Sequence, residues 1–218
     1  ATPEGAPGEL TYRKYKRFGA GGSGLIWLEA TAVIEEGRSN PAQLMLNRKT
    51  ASKFKELKKK VMEAACDSLG NNHNPLLVLQ LTHSGRYSKP KGNPEPIIAH
   101  HSEVLDPQHE LSKDYDLISD SQLDKLQERY VEAAVIARES GYEAVDIKSC
   151  HGYLLNGLLA SHTRENSKYG GSFANRTRFI TEVVKKIKEE VPELMINTRL
   201  NVYDAIPYPY GFGMKKDG

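Results

Sequence analysis

The sequence predicts an α/β protein built on a parallel sheet, and two patterns support this prediction. Four apolar segments that read as strands alternate with segments of helical period, and no hairpin turn separates one strand from the next. Neighbouring parallel strands need a long crossover connection, usually a helix, so this order is typical of a parallel sheet. Because nothing in the chain reads as a linker or a repeat, we expect one domain over residues 1–218.

A third pattern favours a barrel over a doubly wound sheet. Polar residues recur at the carboxyl end of each strand, where parallel α/β folds build their sites. These residues are Thr31 in the first strand, Gln80 and His83 in the second, Lys148 in the third and Arg199 in the fourth. A barrel interior that faces a ligand accounts for them, whereas a doubly wound sheet would bury their faces under helices.

The first half of the chain reads as helix, strand, helix, strand. A helix is predicted over 9 to 18, and the loop GAGGSG leads from it into a strand over 25 to 33. Thr50 has the position of a helix cap, and the helix that follows ends near Gly70. The second strand, PLLVLQLTHSG, covers residues 75 to 85.

Three glycines in the first loop, Gly19, Gly21 and Gly24, match the GxGxxG pattern of dinucleotide-binding domains. In those domains the loop follows a strand and opens a helix, so that the phosphate meets the helix N-terminus. Here the loop follows a helix and opens a strand. We therefore interpret it as a tight turn and predict no Rossmann domain.

The second half begins with a segment rich in Pro, Gly and His, from 87 to 118, which has neither period and is predicted as a long loop. Ser119 and Gln122 have the spacing of a capping box, and the helix that they open ends at Gly141. The remaining elements are a third strand from Ala144, a helix over 175 to 190 and a fourth strand over 194 to 204.

Composition excludes several classes of protein. With 39% hydrophobic and 27% charged residues, the chain is expected to be soluble and globular rather than disordered. No apolar run reaches the roughly 20 residues that cross a bilayer, and the N-terminus lacks the apolar core of a signal peptide, so we expect a cytoplasmic protein without membrane contact. A net charge of +2 argues against a nucleic-acid partner. Cys66 and Cys150 are too few for a disulfide framework.

The third strand, AVDIKSC, carries two charges inside an otherwise apolar segment. Side chains alternate between the faces of a strand, so Asp146 and Lys148 share one face, and Val145 and Ile147 share the other. Buried charges are costly unless they are paired or functional. This face is therefore either a sealed ion pair or the floor of a site.

Two blocks of sequence carry a resemblance to a known family. QLTHSGR and CHGYLLNGLLASHTRENSKYGGSFANRTRF are similar to blocks of the old yellow enzyme family, the FMN-dependent NADH:flavin oxidoreductases and ene-reductases, and GGSGLIWLEATAV and INTRLNVYD resemble its strands. The resemblance implies a TIM barrel, of which this chain is similar to only the second to fifth strands. Such a barrel takes ~250 residues or more, so we expect a partial barrel from a longer protein.

The resemblance also implies a flavin site. Ala30 resembles the small residue whose backbone abuts FMN, Gln80 the glutamine that bonds the pyrimidine edge, and Arg199 the arginine beside N1 and O2. The chemistry of the arginine agrees, because reduced flavin gathers negative charge there. NADH or NADPH would stack on the flavin as hydride donor, without a Rossmann domain. The alternatives are an internal ion pair for Arg199 and a satisfied core amide for Gln80.

Lys148, His151 and Tyr153 fall at the positions of catalytic residues of the family. The first two match the donors that hold the substrate oxygen, and Tyr153 matches the tyrosine that gives a proton to the substrate carbon. Most members have histidine at the first position, so Lys148 departs from the pattern by placing a mobile ammonium there. Asp146 is then expected to hold this ammonium in place. The alternatives are a buried ion pair without substrate and a tyrosine that only packs.

Three interpretations of function follow. The first is an FMN-dependent oxidoreductase that passes hydride from NAD(P)H to an activated, α,β-unsaturated small molecule. The second is a barrel lyase or aldolase with Lys148 as Schiff-base nucleophile, against which Asp146 argues because a carboxylate raises a lysine pKa. The third is an inactive partial barrel that binds neither flavin nor substrate. No metal site is predicted, and the open edges of a partial barrel predict self-association into a homo-oligomer.

Overall fold

The computed structural model describes residues 1–216, and within them it contains five α-helices, three short 3-10 helices and five short strands. The helices are α1 (Glu9–Ala20), α2 (Ala51–Leu69), α3 (Asp120–Glu139), α4 (Leu154–Leu159) and α5 (Phe173–Glu190). The strands are β1 (Leu25–Trp27), β2 (Thr31–Ala32), β3 (Leu76–Thr82), β4 (Ala144–Ile147) and β5 (Met195–Asn197). Among the described helices, none combines the length and the apolar composition that a membrane span needs.

All strands pair in parallel, as the sequence predicts, and their order in the sheet is β1–β3–β4–β5. β2 pairs with the later part of β3, so β1 and β2 are two parts of one strand position. The sheet of the described residues therefore has four strand positions, and a closed β/α barrel has eight. The predicted partial barrel agrees with this count.

The strand predicted over 25 to 33 is interrupted at 28 to 30. The carbonyl of Ala30 accepts a hydrogen bond from Gln43 Nε2 at 2.9 Å, rather than from a neighbouring strand. A side chain from a later loop thus replaces part of the strand ladder. This interruption leaves a gap in the sheet next to β3, at the carboxyl end of β1.

The strand predicted over 194 to 204 is also too long, because only Met195–Asn197 pairs with β4. Beyond it a single bridge joins Leu200 to Ser149, and the chain then folds back. The short helix α4 was not predicted, since its six residues, LLNGLL, are too few to display a helical period.

The capping box at Ser119 is confirmed, and Thr50 is the N-cap residue of α2 as predicted, but its side chain makes no capping hydrogen bond. Ser119 Oγ accepts the Gln122 N–H at 3.2 Å, and Gln122 Oε1 accepts the Ser119 N–H at 2.8 Å. The Thr50 hydroxyl instead donates to the Met45 carbonyl at 2.7 Å, while Asn47 Oδ1 accepts the Thr50 N–H at 3.1 Å. The Thr50 hydroxyl therefore stabilises the turn that precedes α2 and makes no hydrogen bond to the first N–H groups of the helix.

The two faces of the sheet have different surroundings. One face belongs to the hydrophobic core beneath the helices, and its buried side chains include Ile26, Leu77, Leu79, Leu81, Val145 and Ile147. The opposite face, called the inner face below, carries Trp27, Val78, Gln80, Ala144, Asp146, Met195 and Asn197. Its margins are open, since Trp27 is 39% exposed and Met195 is 44% exposed.

The long segment from 87 to 118 is tied to the fold by Arg164, a residue that the sequence did not single out. The buried guanidinium donates to the carbonyls of Ala99 at 2.8 Å and Ile118 at 2.7 Å. It also donates to Asp120 Oδ1 at 2.8 Å, at the start of α3. One side chain thus joins the long segment, α3 and the loop that follows α4.

We expect Arg164→Met to lower the free energy of unfolding by ~3 kcal/mol, because it leaves two buried carbonyls and part of a carboxylate without donors. Urea denaturation measures this loss. The matched control is Arg129→Met, which removes an exposed guanidinium paired with Glu132 and is expected to change the same quantity by ~0.5 kcal/mol or less. Equal losses in the two variants would contradict the role of Arg164.

Candidate active site

Asp146 lies at the centre of the inner face, between Gln80 on β3 and Asn197 on β5. Its carboxylate is buried and accepts hydrogen bonds from Trp27 Nε1 at 3.1 Å and from Gln80 Nε2. The second oxygen accepts the backbone N–H of Arg199 at 2.8 Å. Burial raises the pKa of this carboxyl, and the donors from Gln80, Trp27 and the Arg199 backbone offset part of the rise.

The predicted ion pair between Asp146 and Lys148 is wrong. Lys148 Nζ lies 3.5 Å from the centroid of the Tyr153 ring, and within the described residues no carboxylate oxygen comes within 4.0 Å of it. The strand register explains the difference, because Asp146 faces Gln80 directly across β3 and β4. Cross-strand neighbours are closer than side chains two residues apart on one strand.

Lys148 is only 4% exposed, and burial lowers its pKa to about 8. Cys150 and Asp146 raise the pKa and Arg199 lowers it, but each has a smaller effect than burial. Asp146 therefore raises the pKa of Lys148, as the sequence-based argument expects, but it does not keep that pKa at its ordinary value. Removing the ammonium from water lowers the pKa of Lys148 by more than the nearby carboxylate raises it.

The three residues predicted to bind the cofactor line one open cavity of about 590 Å³ on the inner face. Ala30, Gln80 and Arg199 lie on its wall, together with Trp27, Leu28, Glu29 and Thr198. The interruption between β1 and β2 brings Ala30 to this wall. The structure therefore brings together the predicted cofactor-binding set.

The polar groups on this wall are available to a ligand. The Arg199 guanidinium is exposed, and no acceptor within the described residues contacts it. The internal ion pair that was the alternative for Arg199 is not formed. Gln80 donates through Nε2 to Asp146, and in residues 1–216 no donor reaches its Oε1, which remains free to accept.

The predicted catalytic residues lie beside this cavity and not on its wall. Lys148 and Tyr153 are in contact, as described above. His151 is exposed, and its backbone is left-handed, with φ of 64°. Partial burial of the imidazole lowers the pKa of His151, and the positive charges of Lys148 and Arg199 lower it further. At the ends of β4 and β5, Lys148 and Arg199 are therefore close enough for their charges to affect the pKa of His151.

The loop after β4 is held by residues that the sequence did not identify. Asn156 Oδ1 accepts the Gly152 N–H at 2.6 Å, and Asn156 Nδ2 donates to both oxygens of Asp204 at 3.1 Å. Asn201 Nδ2 also donates to Asp204, at 2.7 Å. Asn156 lies in the unpredicted helix α4, and the two other residues fall in the segment predicted as strand. Asn156 is far in the sequence from Asn201 and Asp204, so the hydrogen bonds by which these three side chains hold the loop are visible only in the folded structure.

Cys66 and Cys150 are unpaired, and burial raises the pKa of the Cys150 thiol. In residues 1–216 no group of three or more His, Cys, Asp or Glu side chains is arranged to hold a metal ion.

Comparison with known proteins identifies the family. Residues 3–210 match the model of the NADH:flavin oxidoreductase / NADH oxidase family. The chain belongs to this family. The match covers the strands, the cavity and the loop after β4, and it confirms the resemblance found in the sequence.

Known relatives and solved structures of this family agree with the match. The chain is 30% identical to the NADPH dehydrogenase of Listeria welshimeri over 188 residues, which cover 85% of the chain and 51% of that protein. It is 30% identical to the NADPH dehydrogenase of Clostridium acetobutylicum, with 82% and 49% covered. The chain thus spans about half the length of these curated relatives.

Two solved structures give the fold comparison. Morphinone reductase superposes with a TM-score of 0.72 and 25% identity, over 91% of this chain and 55% of that one. The old yellow enzyme from Pichia sp. superposes with a TM-score of 0.77 and 22% identity, over 94% and 54%. The predicted fold, about half of a TIM barrel, is confirmed.

The inner face of this flavin oxidoreductase family member fits the ring system of a flavin. A free guanidinium, a free amide oxygen and a backbone-lined gap at Ala30 share one cavity, and these groups complement the anionic and imide edges of an isoalloxazine. No residue in this cavity has an obvious role in holding the phosphate of FMN. The cavity thus offers groups suited to a flavin ring, and apart from Arg199 its wall carries no cation suited to a phosphate.

The lowered pKa of Lys148 predicts a pH dependence of stability. Between about pH 8 and the ordinary lysine value of 10.5, the unfolded chain holds a proton on Lys148 that the folded chain has released. The free energy of unfolding therefore rises with pH in this window. We expect the stability of wild type relative to Lys148→Met, measured by urea denaturation, to increase from about pH 8 to about pH 10.

The exposed Lys185, paired with Glu189, provides the control for this measurement. Wild type and Lys185→Met are expected to keep a constant difference in stability over the same pH range. A constant difference between wild type and Lys148→Met would contradict the lowered pKa.

Proposed function

We propose that this chain supplies the flavin-ring and acceptor half of an FMN-dependent oxidoreductase. NADH or NADPH is the hydride donor, and an activated, α,β-unsaturated small molecule is the acceptor. The observation that carries the proposal is the common cavity of Ala30, Gln80 and Arg199 beside the buried Lys148. Membership of the family supports flavin and nicotinamide as the redox partners.

The residues of the cavity would hold the ring of FMN, which supplies a two-electron carrier when bound. Arg199 would place its guanidinium at the edge where negative charge collects. Gln80, fixed through Nε2 by Asp146, would present Oε1 as an acceptor to the imide N–H. Ala30 leaves room for the ring to approach the backbone.

Lys148 and His151 would bind and polarise the acceptor oxygen, and Tyr153 would deliver a proton to the acceptor carbon. The contact between Lys148 and the Tyr153 ring supports a common role for the two side chains. Because an ammonium is mobile and fully charged, Lys148 polarises the acceptor more strongly than a neutral imidazole would.

This function is tested on the longest protein whose coding sequence includes this 218-residue chain. We expect it to purify with visible flavin absorbance, to be bleached anaerobically by NADH or NADPH, and to regain colour when an α,β-unsaturated ketone is added. Arg199→Met is expected to weaken FMN binding, whereas Arg178→Met, on α5 and outside the cavity, is the control. A protein that binds no FMN, or whose flavin neither nicotinamide reduces, would reject the proposal.

A Schiff-base lyase is the second candidate function, and the lowered pKa of Lys148 favours it. A neutral amine at the end of a barrel strand can attack a carbonyl. Borohydride reduction in the presence of a carbonyl compound, followed by mass spectrometry, would attach that compound to Lys148 if the lyase interpretation holds. No adduct on Lys148 would reject it.

A further inference from the structure

The buried ammonium of Lys148 has no counter-ion in the described part of the chain. Its side chain is almost fully enclosed at the end of β4, and its contact is with the π face of Tyr153. A π face gives a desolvated cation much less stabilisation than a carboxylate or water does. Such a group favours the arrival of a negatively charged ligand.

Two carboxylates at this end of the sheet, Asp146 and Asp204, already accept several hydrogen bonds. Both oxygens of Asp146 accept hydrogen bonds, from Trp27, Gln80 and the backbone of Arg199. The oxygens of Asp204 accept from Asn156 and Asn201 as described above, and one of them also accepts the Phe212 N–H at 2.8 Å. Neither carboxylate can turn toward Lys148 without breaking several of these bonds.

Two further basic side chains lie near the same point. The Arg199 guanidinium lacks an acceptor among the described residues, and the charges of Lys148 and Arg199 both act on His151. The ends of β4 and β5 therefore carry three basic side chains, Lys148, His151 and Arg199, and within residues 1–216 no carboxylate forms an ion pair with Lys148 or Arg199. If Arg199 contacts the edge of the flavin, Lys148 remains available to bind a different anion.

We propose that the acceptor taken by this site carries a carboxylate, so that the substrate class is the α,β-unsaturated carboxylic acids, with Lys148 as the counter-ion. The inference rests on the proposed function for the reaction type, and on the unpaired Lys148 for the charge of the substrate. A neutral acceptor would leave the ammonium without an anion. A carboxylate would gain a charge-assisted hydrogen bond in a site that largely excludes water.

The test compares two planar probes of nearly equal size, cinnamate and cinnamamide, which differ in charge. Two-dimensional NMR titration of the 218-residue chain at neutral pH and low salt measures weak binding without any need for flavin. We expect cinnamate to bind ~10-fold or more tightly than cinnamamide, as one charge-assisted hydrogen bond implies. We expect Lys148→Met to abolish this preference, and Lys148→Arg to retain part of it.

Lys168→Met is the control, because Lys168 is an exposed lysine already paired with Asp124, and it is expected to keep the full preference. The proposal is overturned if the two probes bind equally, if neither binds, or if Lys148→Met keeps the preference for cinnamate. Visible flavin absorbance, measured separately, reports on the redox function. A chain that prefers cinnamate through Lys148 but whose complete protein holds no flavin would reject the oxidoreductase and leave the carboxylate site standing.

Discussion

Lys148→Met is expected to slow the transfer of hydride to the acceptor by about 100-fold or more, while the reduction of the flavin by nicotinamide keeps nearly its original rate. Lys148 lies at the end of β4, where the proposed function puts the acceptor oxygen. Negative charge grows on that oxygen in the transition state, and a preformed cation stabilises it most there. The nicotinamide step would instead place its negative charge at the flavin edge beside Arg199, away from Lys148.

The two half-reactions are separated by stopped-flow absorbance of the flavin in the complete protein. The first mixing measures reduction by NADH or NADPH, and the second measures reoxidation by the acceptor. Lys168→Met serves as the exposed lysine control and is expected to slow neither step. A similar loss in both half-reactions would show that Lys148 supports the flavin or the fold instead of the acceptor.

The second large effect concerns FMN. We expect the 218-residue chain alone to bind FMN at least ~100-fold more weakly than a protein with the complete barrel. In barrels of this class the phosphate commonly sits at the loops after the seventh and eighth strands, and the described sheet has four strand positions. Hydrogen bonds to a charged group contribute ~1.5 to 3 kcal/mol each, and ~1.4 kcal/mol is a tenfold change in affinity.

Equilibrium dialysis of both proteins against FMN measures this ratio. Riboflavin, which has the same ring without the phosphate, is the matched ligand, and the two proteins are expected to differ less in their affinity for it. A monomeric 218-residue chain that binds FMN with micromolar affinity would contradict the prediction.

We also propose that the isolated chain pairs with a second copy of itself. Two copies supply eight strand positions, and β1 and β5 are free strand edges at the margins of the inner face. We expect Met195→Lys to weaken this dimer, since Met195 is exposed at the β5 edge, and Leu10→Lys, at an exposed site on α1, to leave it intact. Light scattering after size exclusion measures the mass, and a monomer at every concentration would reject the proposal.

Local patterns in the sequence predicted the helices well and the strand ends poorly. The capping box at Ser119 is complete within four residues, so its chemistry is visible in the sequence. The end of a strand depends on which neighbour continues beside it. The 194–204 segment has the composition of a strand, but only Met195–Asn197 lies beside β4.

The candidate site, like the fold, was predicted only in part from the sequence. The motif positions of Ala30, Gln80 and Arg199 could be located from the resemblance, and the structure places all three on one cavity wall. The partner of Asp146 could not be predicted, because it depends on the register between β3 and β4. Alternation along one strand made Lys148 the obvious candidate, whereas the register selects Gln80.

Trp27 is the only tryptophan in the chain, and its indole lies on the cavity wall with Nε1 bonded to Asp146. All intrinsic tryptophan fluorescence of the chain therefore originates at the inner face. A flavin in the cavity would quench this emission by energy transfer, a second half-barrel would shift it to shorter wavelength by excluding water, and protonation of Asp146 would alter the hydrogen bond to the indole. The protein thus contains an optical probe at its own candidate site, and no label is needed to follow ligands, closure or protonation there.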